Sequence, residues 1–223
     1  MKNINILLVL GLVALLMFSC SNDSNDKDTT PPVITLNGSS DVTIALNTHW
    51  TDPGATAIDD EDGNVPINAS GVVNKDLVGV YTITYKASDA AGNSSTKTRT
   101  VRVRNMADIW EGDYSVTDNS GGIENTYTDH ISVSQTQNNY VNVNKFRDYI
   151  NGTLEFYFTN PDSLNASIVV KAQNITCGEP YINRSFYGTG QITSLTNKTF
   201  ELFVNENDGS STKTIVESYQ KID

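Results

Sequence analysis

The chain has 223 residues, 38% of them hydrophobic, and carries 26 acidic side chains against 15 basic ones, a formal charge of −11. A chain of this length makes one large domain or two small ones, and its ordinary apolar content excludes wholesale disorder. So acidic a protein is a poor partner for phosphate backbones, whose binding rests on Lys and Arg displacing counterions, and no nucleic-acid partner is expected.

The amino terminus opens with Lys2 and an apolar run from Ile6 to Phe18, thirteen residues interrupted only by Gly11. A membrane span needs about 20 residues, so the run reads as the apolar region of a secretory signal. It stops at Ser19-Cys20, and Ser21 to Asp28 is wholly polar. Residues 1–19 are therefore expected to be a signal peptide and residues 20–31 a flexible tether. Removing residues 1–19 takes away the single charge of Lys2 and leaves a formal charge of −12.

After Pro31-Pro32 the segments Val33–Leu36, Val42–Ile44, Val80–Tyr85 and Thr100–Val103 are short, β-branched and roughly alternating. Turn clusters separate them, at Asn37–Ser40, Asp52–Gly54, Asp62–Asn64 and Ala91–Asn93. No helical period persists, so residues 32–105 predict a small antiparallel sandwich. The acidic loop at Asp59, Asp60 and Asp62, with Asp89 reaching across the sandwich, is a candidate calcium site, because Ca²⁺ takes six to eight hard oxygen ligands. It is not an EF-hand. With Gly63 at loop position six, Ile58 and Ala69 fall where ligands are required. The competing reading is a solvated turn whose Asp side chains cap their own backbone.

Residues 106–223 predict eight strands: Trp110–Thr117, Tyr127–Gln135, Tyr140–Phe146, Thr153–Thr159, Asn165–Lys171, Ser185–Ile192, Thr199–Asn205 and Thr212–Lys221. Short turns between them favour an up-and-down order, and eight such strands suit a closed barrel, with a second sandwich as the alternative. Fifteen aromatic residues lie in this part, against three (Trp50, Tyr81 and Tyr85) in residues 32–105. Trp110 and Tyr114 share one strand face, as do Phe156 and Phe158, and inward rings fill a small barrel. Tyr140, Tyr149, Tyr181 and Tyr187 lie near predicted strand ends and are the candidates for stacking on a sugar or lining a ligand mouth.

Catalytic motifs are absent. There is no nucleophile elbow, no phosphate-binding Gly-Lys-Ser/Thr loop and no paired-histidine metal motif. Cys177 is the only thiol besides Cys20, and a small buried residue is its expected role. No enzyme activity and no cofactor other than calcium are expected.

Four resemblances sharpen these expectations. Met17-Phe18-Ser19-Cys20 resembles the lipobox of bacterial lipoproteins, which implies cleavage before Cys20 and acylation of its thiol and new amine. Ser19 fits the pattern, while Met17 and Phe18 depart from its commonest form. Asp23, Asp26 and Asp28 resemble the acidic export signal of Bacteroidetes surface lipoproteins. In order along residues 28–104 stand Asp28-Thr-Thr-Pro-Pro32, Leu36-Asn-Gly38, Trp50-Thr-Asp-Pro-Gly-Ala55, Asp60 to Gly63, Val78 to Tyr85, Asp89-Ala-Ala-Gly-Asn93 and Arg99-Thr-Val101. These resemble the bacterial Ig-like domain shared by cell-surface proteins and one pesticidal crystal toxin family, which implies a spacer or adhesion module. Trp110-Glu-Gly-Asp-Tyr114, the strand from Ile168 to Gln173 and Tyr187-Gly-Thr-Gly190 resemble small lipocalin-like domains of Bacteroidetes lipoproteins.

The expectation is thus an all-β, two-domain lipoprotein of the outer membrane or cell surface. Lipidated Cys20 binds it to the membrane, an Ig-like sandwich serves as spacer, and a lipocalin-like barrel binds a ligand or glycan. The alternatives are an adhesion protein that contacts surface proteins without a pocket and a glycan-processing enzyme.

Overall fold

A computed structural model describes residues 27–148, 152–177 and 184–222. Among these there is no α-helix, only three short 3-10 turns, and two β architectures follow each other along the chain. Cys20, Tyr149 and Tyr181 lie outside the described residues.

The first architecture is a sandwich of two sheets. Strands β1 (Val33–Leu36), β3 (Ala55–Asp59) and β4 (Gly63–Asn64) form one, in the order β1-β3-β4. Strands β2 (Asp41–Ala45), β5 (Ile67–Ser70), β6 (Gly79–Ser88) and β7 (Ser94–Arg104) form the other, in the order β2-β7-β6-β5, with β2 parallel to β7. Alternation chooses the inner face: Ile83, Tyr85 and Ala87 of β6 and Val101 and Val103 of β7 are buried, while their neighbours turn outward. Half-buried Trp50 packs against both clusters of this core.

The second architecture is a closed barrel of eight consecutive antiparallel strands. They are β8 (Gly112–Asp118), β9 (Asn125–Val133), β10 (Tyr140–Val143), β11 (Leu154–Phe158), β12 (Ser167–Ile175), β13 (Arg184–Ser194), β14 (Thr199–Asn207) and β15 (Thr212–Lys221). The last strand pairs with the first, Tyr219 opposite Val116, so no edge remains open. Period-2 alternation sends Leu154, Phe156 and Phe158 of β11 and Phe200, Leu202 and Val204 of β14 inward. On β13 the inward positions 188 and 190 are glycines. A Cβ on Gly188 would stand 2.2 Å from the Phe203 carbonyl oxygen, so the strands approach there more closely than any side chain allows.

Three expected strands differ. The one expected over Tyr140–Phe146 stops at Val143, Phe146–Asp148 being a 3-10 turn, and β12 runs to Ile175 past the expected Lys171. The sequence pattern places Trp110 at the start of a strand, but Met106–Trp110 is a 3-10 turn and β8 begins at Gly112, whose φ of 138° suits only glycine. The turn lets Trp110 enter the barrel from its end instead of from a wall.

The two architectures meet through polar contacts. Asn105, 1% exposed, donates from Nδ2 to the carbonyls of Ser134, Gln137 and Tyr140 at 2.8–3.0 Å, while its Oδ1 accepts from the Ala107 and Asn139 amides. Asn47 adds a second clasp, donating to the Thr136 carbonyl and accepting from the Asn138 amide. The Val78 amide donates to the Gln135 carbonyl at 2.9 Å. All of these contacts sit at the barrel end that holds Trp110, so the opposite barrel end faces away from the sandwich.

Candidate functional sites

Three sites emerge in chain order. The first lies at the end of the sandwich remote from the barrel, where the β3–β4 and β6–β7 turns meet the entering chain. One oxygen each from Asp28, Asp59 and Asp89 lies within 4.8 Å of the other two. Asp59 is the final residue of β3 and shares the inward face with Ala57, which buries it to 3% exposure. Its Oδ1 accepts from the Glu61 and Asp62 amides at 3.1 and 3.0 Å, the local turn-capping expected of an Asp. Its Oδ2 is buried and has no hydrogen-bond partner. Asp89 accepts from the Asn93 amide at 2.7 Å and from Asn93 Nδ2 at 2.9 Å. Burial works to raise the Asp89 pKa, but the Asn93 bonds and the Gly92 and Ala91 amides outweigh it and hold the carboxyl below its ordinary value.

Of the sequence-predicted ligands, Asp59 and Asp89 come together and Asp60 and Asp62 stand apart. Asp60 is exposed, and Asp62 accepts from the Ala90 amide at 2.7 Å, tying the two turns together. Asp28 takes the third place. The sequence pattern assigns it to the tether, and only its position in the Asp28-Thr-Thr-Pro-Pro32 motif signals a structural role.

The second site is the middle of the sandwich, where Arg99 is fully buried. Its guanidinium bonds the Asp52 carboxylate and the Tyr85 hydroxyl, and donates to the carbonyls of Ser39 (2.9 Å), Asn37 (2.7 Å) and Gly54 (3.3 Å). Tyr85 donates to Asp52 at 2.7 Å, and burial, reinforced by the Asp52 charge, pushes its pKa up to about 12. The Leu36–Gly38, Trp50–Ala55, Val78–Tyr85 and Arg99–Val101 motifs converge here, so this half of the motif set is architectural. Asp28, the Asp60–Gly63 loop and Asp89–Asn93 gather instead around the carboxylate cluster.

The third site is the barrel. Its interior is filled. Trp110, Tyr114, Phe156, Phe158, Phe200 and Tyr219 are each at most 1% exposed. Trp110 stacks on Phe158 at 5.1 Å, Phe200 stacks on Tyr219 at 4.5 Å, and Phe200 contacts Trp110 edge-on at 5.8 Å. Trp110 Nε1 donates to the Pro161 carbonyl at 3.0 Å and Lys198 lies 5.1 Å over its ring, so the indole closes the sandwich-side end.

The far end is polar. Glu217, 0% exposed, accepts from the Tyr127 and Tyr219 hydroxyls at 2.7 and 2.6 Å. Burial, with the Asp118 charge adding to it, pushes its pKa up to about 7 against the two tyrosine bonds and Arg147. Arg147 bonds Asp118 at 3.2 Å and Glu206 at 2.7 Å, and Arg184 also pairs with Glu206. A cleft of about 540 Å³ opens here beside Ser120, Arg184, Glu206 and Lys213.

The candidate tyrosines part company. Tyr140 stacks on Tyr157 at 4.9 Å, with Lys171 Nζ 5.1 and 5.4 Å over the two rings, so both rings are engaged with protein groups. Tyr187 is 44% exposed on the outer face. Phe203, 37% exposed, lies on the neighbouring strand, opposite Thr189 while Tyr187 faces Asn205, so the two rings are diagonal neighbours. Phe203 also pairs with half-buried Val216. The sequence missed Phe203 because an inward and an outward phenylalanine look alike until register is known. His130 is half-exposed beside Asp113 on the outer wall, and Cys177 is buried, its Sγ 3.6 Å from the Ile175 carbonyl.

With this geometry in place, residues 34–103, about a third of the chain, match the family described as bacterial surface protein, Ig-like domain. No curated protein matches the sequence. Among solved structures, a lipoprotein from Bacteroides thetaiotaomicron is similar over 85% of this chain and 100% of its own, at 16% identity and a TM-score of 0.34. A structure of CBM51-2 in complex with GlcNAc and INT domains, from Clostridium perfringens ZmpB, aligns with 86% of this chain at 13% identity and a TM-score of 0.26. A structure of the M60 catalytic domain with CBM51-1 and CBM51-2 of the same protein aligns with 90% at 17% identity and a TM-score of 0.27. The chain spans 44% and 23% of the length of those two structures.

Proposed function

We propose that this is a non-catalytic, lipid-anchored protein of the bacterial outer membrane or cell surface, cut before Cys20 and held by acylation of that residue. The sandwich serves as spacer, and the barrel, of lipocalin kind, presents a glycan-binding face. The location rests on the apolar run ending at Ser19-Cys20 and on the surface-protein Ig-like match of residues 34–103. One observation carries the binding mode: the barrel interior is filled with rings while Tyr187 and Phe203 remain exposed on its wall. A filled eight-stranded barrel has no room for a ligand inside, which moves binding to the outside. An exposed tyrosine offers a sugar both an apolar ring face and a hydroxyl.

The test is a glycan array probed with labelled chain from Ser21 onward, beside the Tyr187→Ala, Phe203→Ala double variant. Binding that the double variant loses supports the proposal. Glycan binding that survives it moves the site elsewhere, and silence across the array favours the adhesion reading with a protein partner. For the anchor, Cys20→Ala is expected to release the protein from membranes or block its maturation; normal retention and processing would overturn it.

A further inference from the structure

The sandwich end remote from the barrel concentrates negative charge that nothing in the fold neutralises. Asp28, Asp59 and Asp89 form no ion pair among the described residues, and like charges this close repel unless a cation or protons intervene. Two of the three are buried, so bulk water does not relieve them. The independent sign of a missing partner is Asp59 Oδ2, a buried carboxylate oxygen with no hydrogen bond of any kind. Such an atom is costly to leave unsatisfied, and native structures tolerate it where an ion completes the site. Turn-capping accounts for Oδ1 of Asp59 and leaves Oδ2 unexplained.

The donors identify the ion. All three groups are hard oxygens with no nitrogen or sulfur among them, which selects the Ca²⁺ and Mg²⁺ class over zinc or copper. If the three oxygens stood at the full 4.8 Å spacing, a point equidistant from them would lie about 2.8 Å from each (4.8/√3). That span needs little contraction to reach Ca–O distances of about 2.3–2.6 Å, and more to reach the ~2.0–2.1 Å of Mg²⁺. Further oxygens are at hand, because the Asn93 amide already gathers the Asp28 and Thr30 carbonyls at 3.2 and 3.4 Å.

We infer that Asp28, Asp59 and Asp89 bind a calcium ion, which fastens the incoming chain to the β3–β4 and β6–β7 turns. The site joins the segment that follows the tether to a rigid sheet end, some 30 Å of strand away from the barrel joint. A bound ion therefore sets the direction in which the sandwich leaves its tether. This inference is independent of what the barrel binds.

Chelator-treated chain from Ser21 onward, which holds both folded parts, is titrated with CaCl₂ by calorimetry and melted with and without 10 mM Ca²⁺. The expected result is one site with Kd on the order of 10⁻⁴–10⁻³ M and a sandwich melting temperature about 6–20 °C higher with calcium. Asp59→Asn and Asp28→Asn should each abolish the shift, and Asp60→Asn should keep it. Asp28 lies outside every strand, so its variant stays folded even if Asp59→Asn does not. Without calcium, Asp59→Asn should melt higher than the parent, since it removes one of three crowded charges. No response of the parent chain to 10 mM Ca²⁺, a shift that survives both variants, or an equal response to Mg²⁺ would overturn the assignment.

Discussion

Three aromatic rings serve the sandwich and fifteen lie in the barrel part of the chain, and the two regions cohere by different means. In the sandwich, with a core largely of Val, Ile and Ala, one buried guanidinium bonds three carbonyls, a carboxylate and a phenol from both sides of the fold. In the barrel a continuous stack of rings occupies the axis, and buried Glu206, Glu217 and Asp118 gather at the end away from the sandwich. A thin two-layer core fixes its geometry with directional bonds, whereas a closed cylinder gains enough buried apolar surface to do without them.

This contrast can be broken at either end. The largest effect is expected from Trp110→Ala, which removes the plug, opens a cavity and orphans the Pro161 carbonyl, at a cost of about 4–5 kcal/mol. Calorimetry should show the barrel transition falling while the sandwich transition stays, with Trp50 left as the only indole to report on the sandwich. Arg99→Met should do the reverse, costing the sandwich about 3–4 kcal/mol because buried carbonyls and Asp52 lose their common donor. If both variants lowered both transitions equally, the two regions would be one cooperative unit joined through Asn105 and Asn47.

Acidity sharpens the comparison further. Glu217 has its pKa raised from 4.5 to about 7 by burial, so between those values the folded barrel holds more protons than the unfolded chain. Barrel stability should therefore fall as pH rises from about 5 to about 7, with a slope of at most about 1.4 kcal/mol per pH unit. Glu217→Gln should flatten that window in a pH series of melting curves and exceed the parent in stability at pH 8. The sandwich transition should not follow it, because the half-buried Asp52 carboxyl is shifted downward: burial opposes, but the Tyr85, Gly54 and Arg99 bonds prevail. Its contribution is present above the ordinary carboxylate range and is lost only at lower pH. The smallest effect is expected from Lys171→Ala, which should leave the barrel melting temperature nearly unchanged, since an exposed ammonium over Tyr140 and Tyr157 contributes little.

Much of this architecture was legible in the sequence. Period-2 alternation and turn residues located all eight barrel strands, although Trp110 moved into a 3-10 turn and β12 runs on to Ile175 beyond the expected Lys171. Alternation is a local property of the chain, set by which face of one strand meets water, and so it survives reading one strand at a time. The ring surplus of residues 106–223 likewise indicated a filled barrel, since side-chain volume adds up without knowledge of contacts.

What the tertiary structure alone decided are the partnerships between distant residues. Asp28 joins Asp59 and Asp89 across 31 and 61 positions of sequence, while adjacent Asp60 turns to solvent, because strand register and not proximity in the chain selects which carboxylates face inward. Arg99 has the same composition signature as any strand arginine until the loops of Asn37, Ser39 and Gly54 close over it. Tyr140 and Tyr187 were equivalent as letters and differ only because Tyr157 and Lys171 cover one and nothing covers the other to the same degree. Sequence determines the faces of the strands; closure of the sheets determines which faces meet.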